Sequence, residues 1–282
     1  MIAVVFSGSR YADWRLAEKG KIITGFRTMG INPYLHDERF IFQLLNKSTN
    51  LINYAERIKR IYFFGAGSSS DERKERISDI LKKFFKNARV TADHDVKASA
   101  LSTLGDSKGL IGILGSGANA AYFNGKRVVP NNYGMGYILA DEGSANWIGR
   151  QLLKGFLTET MPEDLRETFL DRHPLDRKQI LDKIYNNPYP TLFLTSFSDF
   201  VQENHQHRFI KRIINEGIAR YFETYAVPLS EAYGIRTIHF TGSVAAMCES
   251  PLREAAGRYG LEVGKIVREP IHNLLKYYIN KN

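Results

Sequence analysis

A single cysteine, Cys248, stands in the 282 residues. One thiol excludes an intramolecular disulfide and a thiolate metal cluster, so the covalent chemistry does not call for an oxidising compartment. Long apolar runs are missing too. The opening run Ile2–Phe6 is too short for a signal peptide and has no basic leader, and no later stretch reaches the roughly 20 apolar residues of a membrane helix. The expectation is a cytoplasmic protein without a membrane partner. No Gly-Lys-Ser/Thr follows a glycine-rich turn and no Gly-x-Gly-x-x-Gly opens a helix, which excludes a P-loop and a dinucleotide fingerprint. His205 and His207 point to different sides of a helix with no Cys or carboxylate to complete a metal site.

What is present is a globular composition: 43% hydrophobic, 12% aromatic and 24% charged residues, ample for a packed core. Thirty-nine Lys and Arg against 30 Asp and Glu leave a net charge of +9. The densest basic stretch, Asp71-Glu-Arg-Lys-Glu-Arg76 with Lys82, Lys83 and Lys86, alternates with acids and follows helical spacing of Ile77, Ile80, Leu81, Phe84 and Phe85. Alternating signs make a solvated helix face, not a track for phosphates, so no nucleic-acid partner is expected.

The chain opens with three strand-like segments, Ile2–Phe6, Asp13–Ala17 and Lys21–Phe26, joined by Ser7-Gly8-Ser9 and by a polar turn at Glu18-Lys-Gly20. Leu110–Leu114, Gly115-Ser-Gly117, Ala120–Phe123, Asn124-Gly125 and Arg127–Val129 repeat that order, with Asn-Gly predicting a type I′ hairpin. Gly8 and Gly117 hold equivalent places, which reads as an internal duplication and hence two lobes with a cleft between them. Strands Ile61–Phe64 and Ala88–Ala92 lie between the copies, followed by helices over 71–87 and 96–104. After Asp141-Glu-Gly-Ser144 the pattern turns helical: 162–169, 176–185, 195–203, 208–225 and 251–259, with one strong strand at Arg236–Phe240. A last helix, 271–278, is expected to pack back on the first lobe. The fold class is therefore α/β.

Small-residue turns follow buried strands at Gly8, Gly115–Gly117 and Gly242-Ser243, where backbone amides can approach an anion closely; three together suggest phosphate. Asp95 ends a strand at the carboxyl edge of a sheet, where it reads equally as a general base or as a helix N-cap. Asp141 and Glu142 either orient a polar ligand or favour the start of the next helix. His94 reads as a local hydrogen-bond partner and Cys248 as a small buried hydrophobe.

These motifs, in this order, resemble the N-acetylglucosamine kinase and BadF/BadG-type ATPase family of the actin, Hsp70 and hexokinase superfamily. The resemblance spans nearly the whole chain. It is carried by Phe6-Ser-Gly-Ser-Arg-Tyr-Ala-Asp-Trp14, Gly30-Ile-Asn-Pro33, Phe64-Gly-Ala-Gly67, Asp95 and Leu114-Gly-Ser-Gly-Ala-Asn119. It continues through Gly136-Tyr-Ile-Leu-Ala-Asp-Glu-Gly-Ser144 with Trp147 and Gly149, and ends with Phe240-Thr-Gly-Ser-Val-Ala245. The resemblance implies two RNase H-like lobes, residues 1–105 with 268–282 and residues 106–267, the second helix-rich. It implies ATP and Mg²⁺ as cofactors and a small sugar as substrate, with a homodimer left open. Nucleotide would meet Gly8, Ser9, Arg10, Gly115, Ser116, Gly117, Gly242 and Ser243. The amino sugar would meet Asn32, Gly65, Gly67, Asp95, Asn119, Gly134 and Asp141, with Asp95 taking the proton of the primary hydroxyl.

One position departs from the family pattern. Phe6 stands where the first phosphate turn of the family carries a magnesium-associated Asp, and Arg10-Tyr11 replaces a Thr-Lys pair. A phenyl ring cannot hold Mg²⁺ or its waters, whereas Arg10 offers a fixed cation to phosphate. Two readings follow: an ATP-dependent amino-sugar kinase, or a kinase-like protein that binds sugar and nucleotide with little turnover.

Overall fold

The computed structural model describes residues 1–8 and 10–281. The chain forms two compact units, one of residues 1–107, 125–128 and 269–282, the other of residues 108–124 and 129–268.

The first unit is built on a five-stranded sheet of β1 (Ile2–Ser7), β2 (Tyr11–Glu18), β3 (Lys21–Met29), β4 (Arg60–Gly65) and β5 (Arg89–His94), in the order β3-β2-β1-β4-β5. The first three strands form an antiparallel meander, and β4 and β5 run parallel to β1. Lys19 (φ 49°) and Gly20 (φ 77°) both take the left-handed conformation between β2 and β3, as a two-residue type I′ hairpin requires. Alternation does the rest. Ala3, Val5, Trp14, Leu16, Ile61 and Phe63 project from one face into a core closed by Ile41, Leu45, Ile77, Ile80, Leu81 and Phe85 of the covering helices.

The helix Asp71–Phe84 starts where the Ser70 side chain accepts the Arg73 N–H, and carries Asp71 and Glu72 in its first turn and Lys82 and Lys83 in its last, matching its dipole. Its charges pair locally, Lys74 with Asp71 and Lys82 with Asp79. The final helix, Ile271–Lys281, belongs to the first unit. Tyr278 stacks on Tyr62 with ring centroids 3.7 Å apart, and Asn273 donates to the Ser102 carbonyl.

The second unit carries β6 (Gly109–Leu114), β7 (Ala118–Phe123), β8 (Thr237–Thr241) and β9 (Glu262–Val267) in the order β7-β6-β8-β9. This is the first sheet without its outermost strand. The duplication is therefore real at the level of strand order, with β9 in the place of β5. Strand β9 carries no clear signal in the sequence because Glu262, Gly264 and Lys265 interrupt its apolar residues; the His239 ring lies against Gly264, within 2.6 Å of where a Cβ would stand. The expected third strand of the second meander, 127–129, is absent apart from an isolated bridge at Val128. Its ladder stops after the Val129 N–H reaches the Tyr122 carbonyl, because Pro130 has no N–H to continue it. Nor is Asn124-Gly125 a type I′ turn: Gly125 has φ 91°, but Asn124 is not left-handed.

Helices fill the remainder of the second unit. Arg208–Tyr221 buries Phe209, Ile210, Ile213, Ile214, Ile218 and Tyr221, then passes through a π-helical turn, Phe222–Ala226, into Val227–Tyr233. The helix expected over 195–203 is two, Pro190–Thr195 and Ser198–Glu203. At the break the Ser196 and Ser198 hydroxyls each donate to a carbonyl three residues back, at 2.7 Å, and compete with the helical pattern. Among the described residues no helix is long and apolar enough to cross a membrane. The architecture is mixed α/β, with one sheet in each unit and a helix-rich second unit.

Candidate active site

In the first unit the site residues meet because parallel strands end together. Ser7 pairs with Gly65 and Gly65 with His94 in register, so the carboxyl ends of β1, β4 and β5 form one row. The chain leaves that row as Gly8, Ala66 and Asp95. The buried Ser7 hydroxyl donates to the Ile31 carbonyl (2.9 Å) and accepts the Ile31 N–H (2.8 Å), which brings the segment after β3 to the end of β1. Asn32 follows, its side-chain oxygen accepting the Tyr34 N–H at 2.9 Å and lying against Gly67. Next to Gly67, Ser68 is fully buried, its hydroxyl without a partner among the described residues. Gly8, Asn32, Gly65, Gly67 and Asp95 thus share one edge of one sheet.

Asp95 is the first residue of the helix Asp95–Leu104, and the cap is its neighbour: His94 Nδ1 accepts the Lys97 N–H at 3.3 Å. The N-cap reading of Asp95 is therefore corrected. Burial lowers the His94 pKa, against the pull of Asp93 and Asp95, and keeps the ring neutral so that it can accept. Asp95 accepts its own helix's Val96 N–H at 2.9 Å and is partly exposed at the sheet end, a placement from which a carboxylate can receive a proton.

Arg76, which the sequence places on a solvated helix face, instead donates to the Pro33 carbonyl (3.0 Å) and the His36 carbonyl (3.1 Å). It pins the loop that carries Asn32. No pattern in the sequence marks this, because the two carbonyls are backbone groups some forty residues away.

In the second unit the turn after β6 closes on itself, the Gly115 N–H donating to the Gly117 carbonyl at 3.0 Å. Asp141 faces it. This acid is 8% exposed and left-handed at φ 68°. Its carboxylate accepts the Ala118 N–H (2.9 Å) and an N–H of the Asn146 side chain (2.7 Å). Burial raises its pKa, and those two donors and Arg150 oppose the rise. Ser144, not the acids, caps the helix Ala145–Leu157. Glu142 accepts the Tyr225 hydroxyl, and Tyr225 lies in the π-helical turn; such turns frequently occur at functional sites. Asn119 gives its carbonyl to the Tyr221 hydroxyl (2.8 Å) and its side chain lies against Gly134. Gly242, at φ 117°, passes so close to the Leu114 carbonyl that a Cβ would overlap it at 2.2 Å, and Ser243 follows, exposed. Asn146 and Tyr225, which no motif in the sequence singles out, join this cluster; Asn146 stands only five residues after Asp141.

At the three glycine turns the Gly8, Gly115 and Gly242 N–H groups are already spent on the Tyr11, Gly117 and Val267 carbonyls, so a phosphate would have to meet other amides there. The first turn does not suit magnesium. Phe6 pairs across the sheet with Asp13 and Phe64, and Phe64 with Asp93, so two acids flank the phenyl rings on one sheet face. Both are committed: Asp13 to Arg27 at 2.7 Å and Arg15 at 3.7 Å, Asp93 to Lys74 at 3.6 Å. No three His, Cys, Asp or Glu converge among the described residues. Arg10 is exposed, and Ser9 lies outside the described residues.

No protein-family model and no curated protein matches the chain in sequence. Solved structures do. A Porphyromonas gingivalis protein described as a "putative N-acetylglucosamine kinase" is 30% identical, with TM-score 0.93 and 99% of each chain covered. The chain belongs to the N-acetylglucosamine kinase family. A Chromobacterium violaceum protein given the same description aligns at TM-score 0.67 and 14% identity, over 99% of this chain and 98% of that one. A ROK family glucokinase from Streptomyces griseus, solved with glucose and AMPPNP, aligns at TM-score 0.63 and 13% identity over 98% and 97%; these two likenesses show the fold. This N-acetylglucosamine kinase family member carries glycine turns at Gly8, Gly115–Gly117 and Gly242, the acids Asp95 and Asp141, and Phe6 near the end of β1.

Proposed function

We propose that the protein is an ATP-dependent sugar kinase that phosphorylates an amino sugar such as N-acetylglucosamine on its primary hydroxyl. The single observation that carries this reading is Asp95, one residue beyond the row Ser7–Gly65–His94 and on the same sheet edge as Asn32 and Gly67. In this reading Asp95 takes the hydroxyl proton as the sugar oxygen bonds to the terminal phosphorus of ATP and ADP leaves. Phosphoryl transfer rests on position and charge neutralisation, with little covalent work for the protein. Asn32, Gly65, Gly67, Asp95, Asn119, Gly134 and Asp141 are the proposed sugar contacts. Gly8, Ser9, Arg10, Gly115, Ser116, Gly117, Gly242 and Ser243 are the proposed nucleotide contacts. The lone buried Cys248 suits a cytoplasmic setting.

The test is ADP release with ATP across a panel of hexoses and amino sugars. Sugar-dependent release is expected, falling by about 10²- to 10⁴-fold in Asp95→Asn, the usual contribution of a general base. Release that ignores both sugar and Asp95 would end this reading. Phe6 and its ion-paired neighbours favour a second one, a family member that binds sugar and nucleotide with little turnover. Saturable sugar binding without ADP release would establish it.

A further inference from the structure

We infer that Asn146 is a positioning residue that links nucleotide binding at the Gly115–Gly117 turn to sugar binding at Asp141. The inference rests on the proposed placement of the two ligands and adds an energetic coupling between them.

The geometry is local and complete. Both N–H groups of the Asn146 side chain are spent, one on the Ser116 carbonyl at 2.8 Å and the other on Asp141 Oδ2 at 2.7 Å. The Asn146 backbone N–H also reaches the Ser116 carbonyl, at 3.2 Å, and the Ala145 N–H reaches the Gly115 carbonyl at 2.9 Å. The first turn of the helix Ala145–Leu157 is therefore moored to the phosphate turn, and the side chain of Asn146 extends from that mooring to the acid. Asp141 closes the loop by accepting the Ala118 N–H at 2.9 Å.

The amide can sit only one way round. Flipping it would set its oxygen against a carbonyl and a carboxylate, two acceptors, and forfeit two hydrogen bonds. The present orientation leaves Asn146 Oδ1 buried without a donor among the described residues. An unpaired buried acceptor costs free energy, and here it is tolerated because the two N–H bonds hold the amide in place. Asn146 is itself 2% exposed, so solvent does not substitute for either bond.

The link passes through one peptide plane. Ser116 C=O and Gly117 N–H belong to the same trans peptide and point in opposite directions. Fixing the carbonyl on Asn146 therefore fixes the direction of the Gly117 N–H, a donor the phosphate reading requires. A sugar hydroxyl donating to Asp141 orders the carboxylate, hence the amide, hence that peptide; phosphate on the turn orders the same chain in reverse. Linkage requires the effect to be reciprocal.

The experiment is a binding cycle by calorimetry, with the nonhydrolysable analogue AMPPNP and N-acetylglucosamine, each titrated with and without the other. The unmodified protein is expected to bind each ligand about fivefold or more tightly when the other is present, by the same factor in both directions. In Asn146→Leu the factor is expected to fall to about one while thermal unfolding remains cooperative. Asn146→Asp supplies a readout that a packing role would not move. It sets two carboxylates in contact, with Arg150 and Glu142 as the other charged groups acting on Asp141; one proton shared by the pair restores the bond to Asp141 but leaves the Ser116 carbonyl without its side-chain donor. Coupling is then expected to stay near one even at low pH, where the Asp141 bond is remade; full coupling there would overturn the inference. Independent binding of the two ligands to the unmodified protein, or full coupling in Asn146→Leu, would overturn the inference while leaving the proposed function standing. Failure of both ligands to bind the unmodified protein would remove the proposed function and the inference together.

Discussion

A methyl group on Gly67 would lie 1.9 Å from the side-chain oxygen of Asn32, so the turn after β4 and the segment after β3 meet with no room for a Cβ between them. Gly67 is also left-handed, at φ 79°, where an L side chain is strained. Gly67→Ala is expected to displace Asn32 and to cost about 1–3 kcal/mol of stability. Sugar affinity should fall by about tenfold or more and nucleotide affinity should hold, measured by calorimetry with each ligand alone. Unchanged sugar affinity in a folded variant would separate Asn32 from the proposed sugar site.

Phe6→Asp supplies an acid near the end of β1, where the resembled family pattern has one. The residue is half-buried on the face where Asp13 and Asp93 are already ion-paired, so the exchange is expected to cost about 1–3 kcal/mol by loss of apolar burial and gain of a poorly solvated charge. In return, sugar-dependent ADP release should rise at limiting Mg²⁺. A magnesium titration of both proteins checks this; identical magnesium dependence would show that the metal is held without this position.

His94 makes the stability of the first unit depend on pH. Its folded pKa lies below the ordinary 6.5, chiefly because the ring is buried. Above that value neither state binds the proton and the cap to Lys97 is intact. As pH falls below it the unfolded chain takes up a proton that the folded chain refuses, and stability is lost until the folded pKa is passed. His94→Asn keeps a good N-cap without the titration. Urea midpoints at about pH 5 and about pH 7.5 should differ clearly for the unmodified protein and less for the variant.

Cys248 is 2% exposed, and burial pushes its thiol up to about 12. Thiolate is the reactive form, so alkylation near pH 8 should wait for local opening and run about 10³-fold or more slower than in denatured protein. Mass spectrometry follows it directly. Rapid labelling of the folded chain would contradict this packing.

Where the sequence was legible, the signal was local. Ile2–Phe6, Lys19-Gly20 and the helix at Asp71 were readable because a short apolar run, a turn dipeptide and an amphipathic helical spacing are each contained in a few neighbouring residues. Strand β9 was not, since its place beside β8 compensates for a glycine and two charges that a lone strand would not tolerate. Tyr225 gives a similar lesson: its spacing reads as ordinary helix, and only the π turn directs its hydroxyl to Glu142.

The sequence alone marked most strands of both sheets and the helix at Asp71, the glycine turns, the acids Asp95 and Asp141 in recognisable motifs, and Phe6 where the resembled family pattern has an acid. Tertiary structure alone decided that Arg76 holds the Asn32 loop, that His94 and not Asp95 caps its helix, and that Asn146 bridges Ser116 to Asp141. The reason is physical. Periodicity and turn chemistry act over a few residues and leave their mark in the chain, whereas a hydrogen bond to a backbone carbonyl selects no residue type at its acceptor and becomes visible only when folding brings the two together.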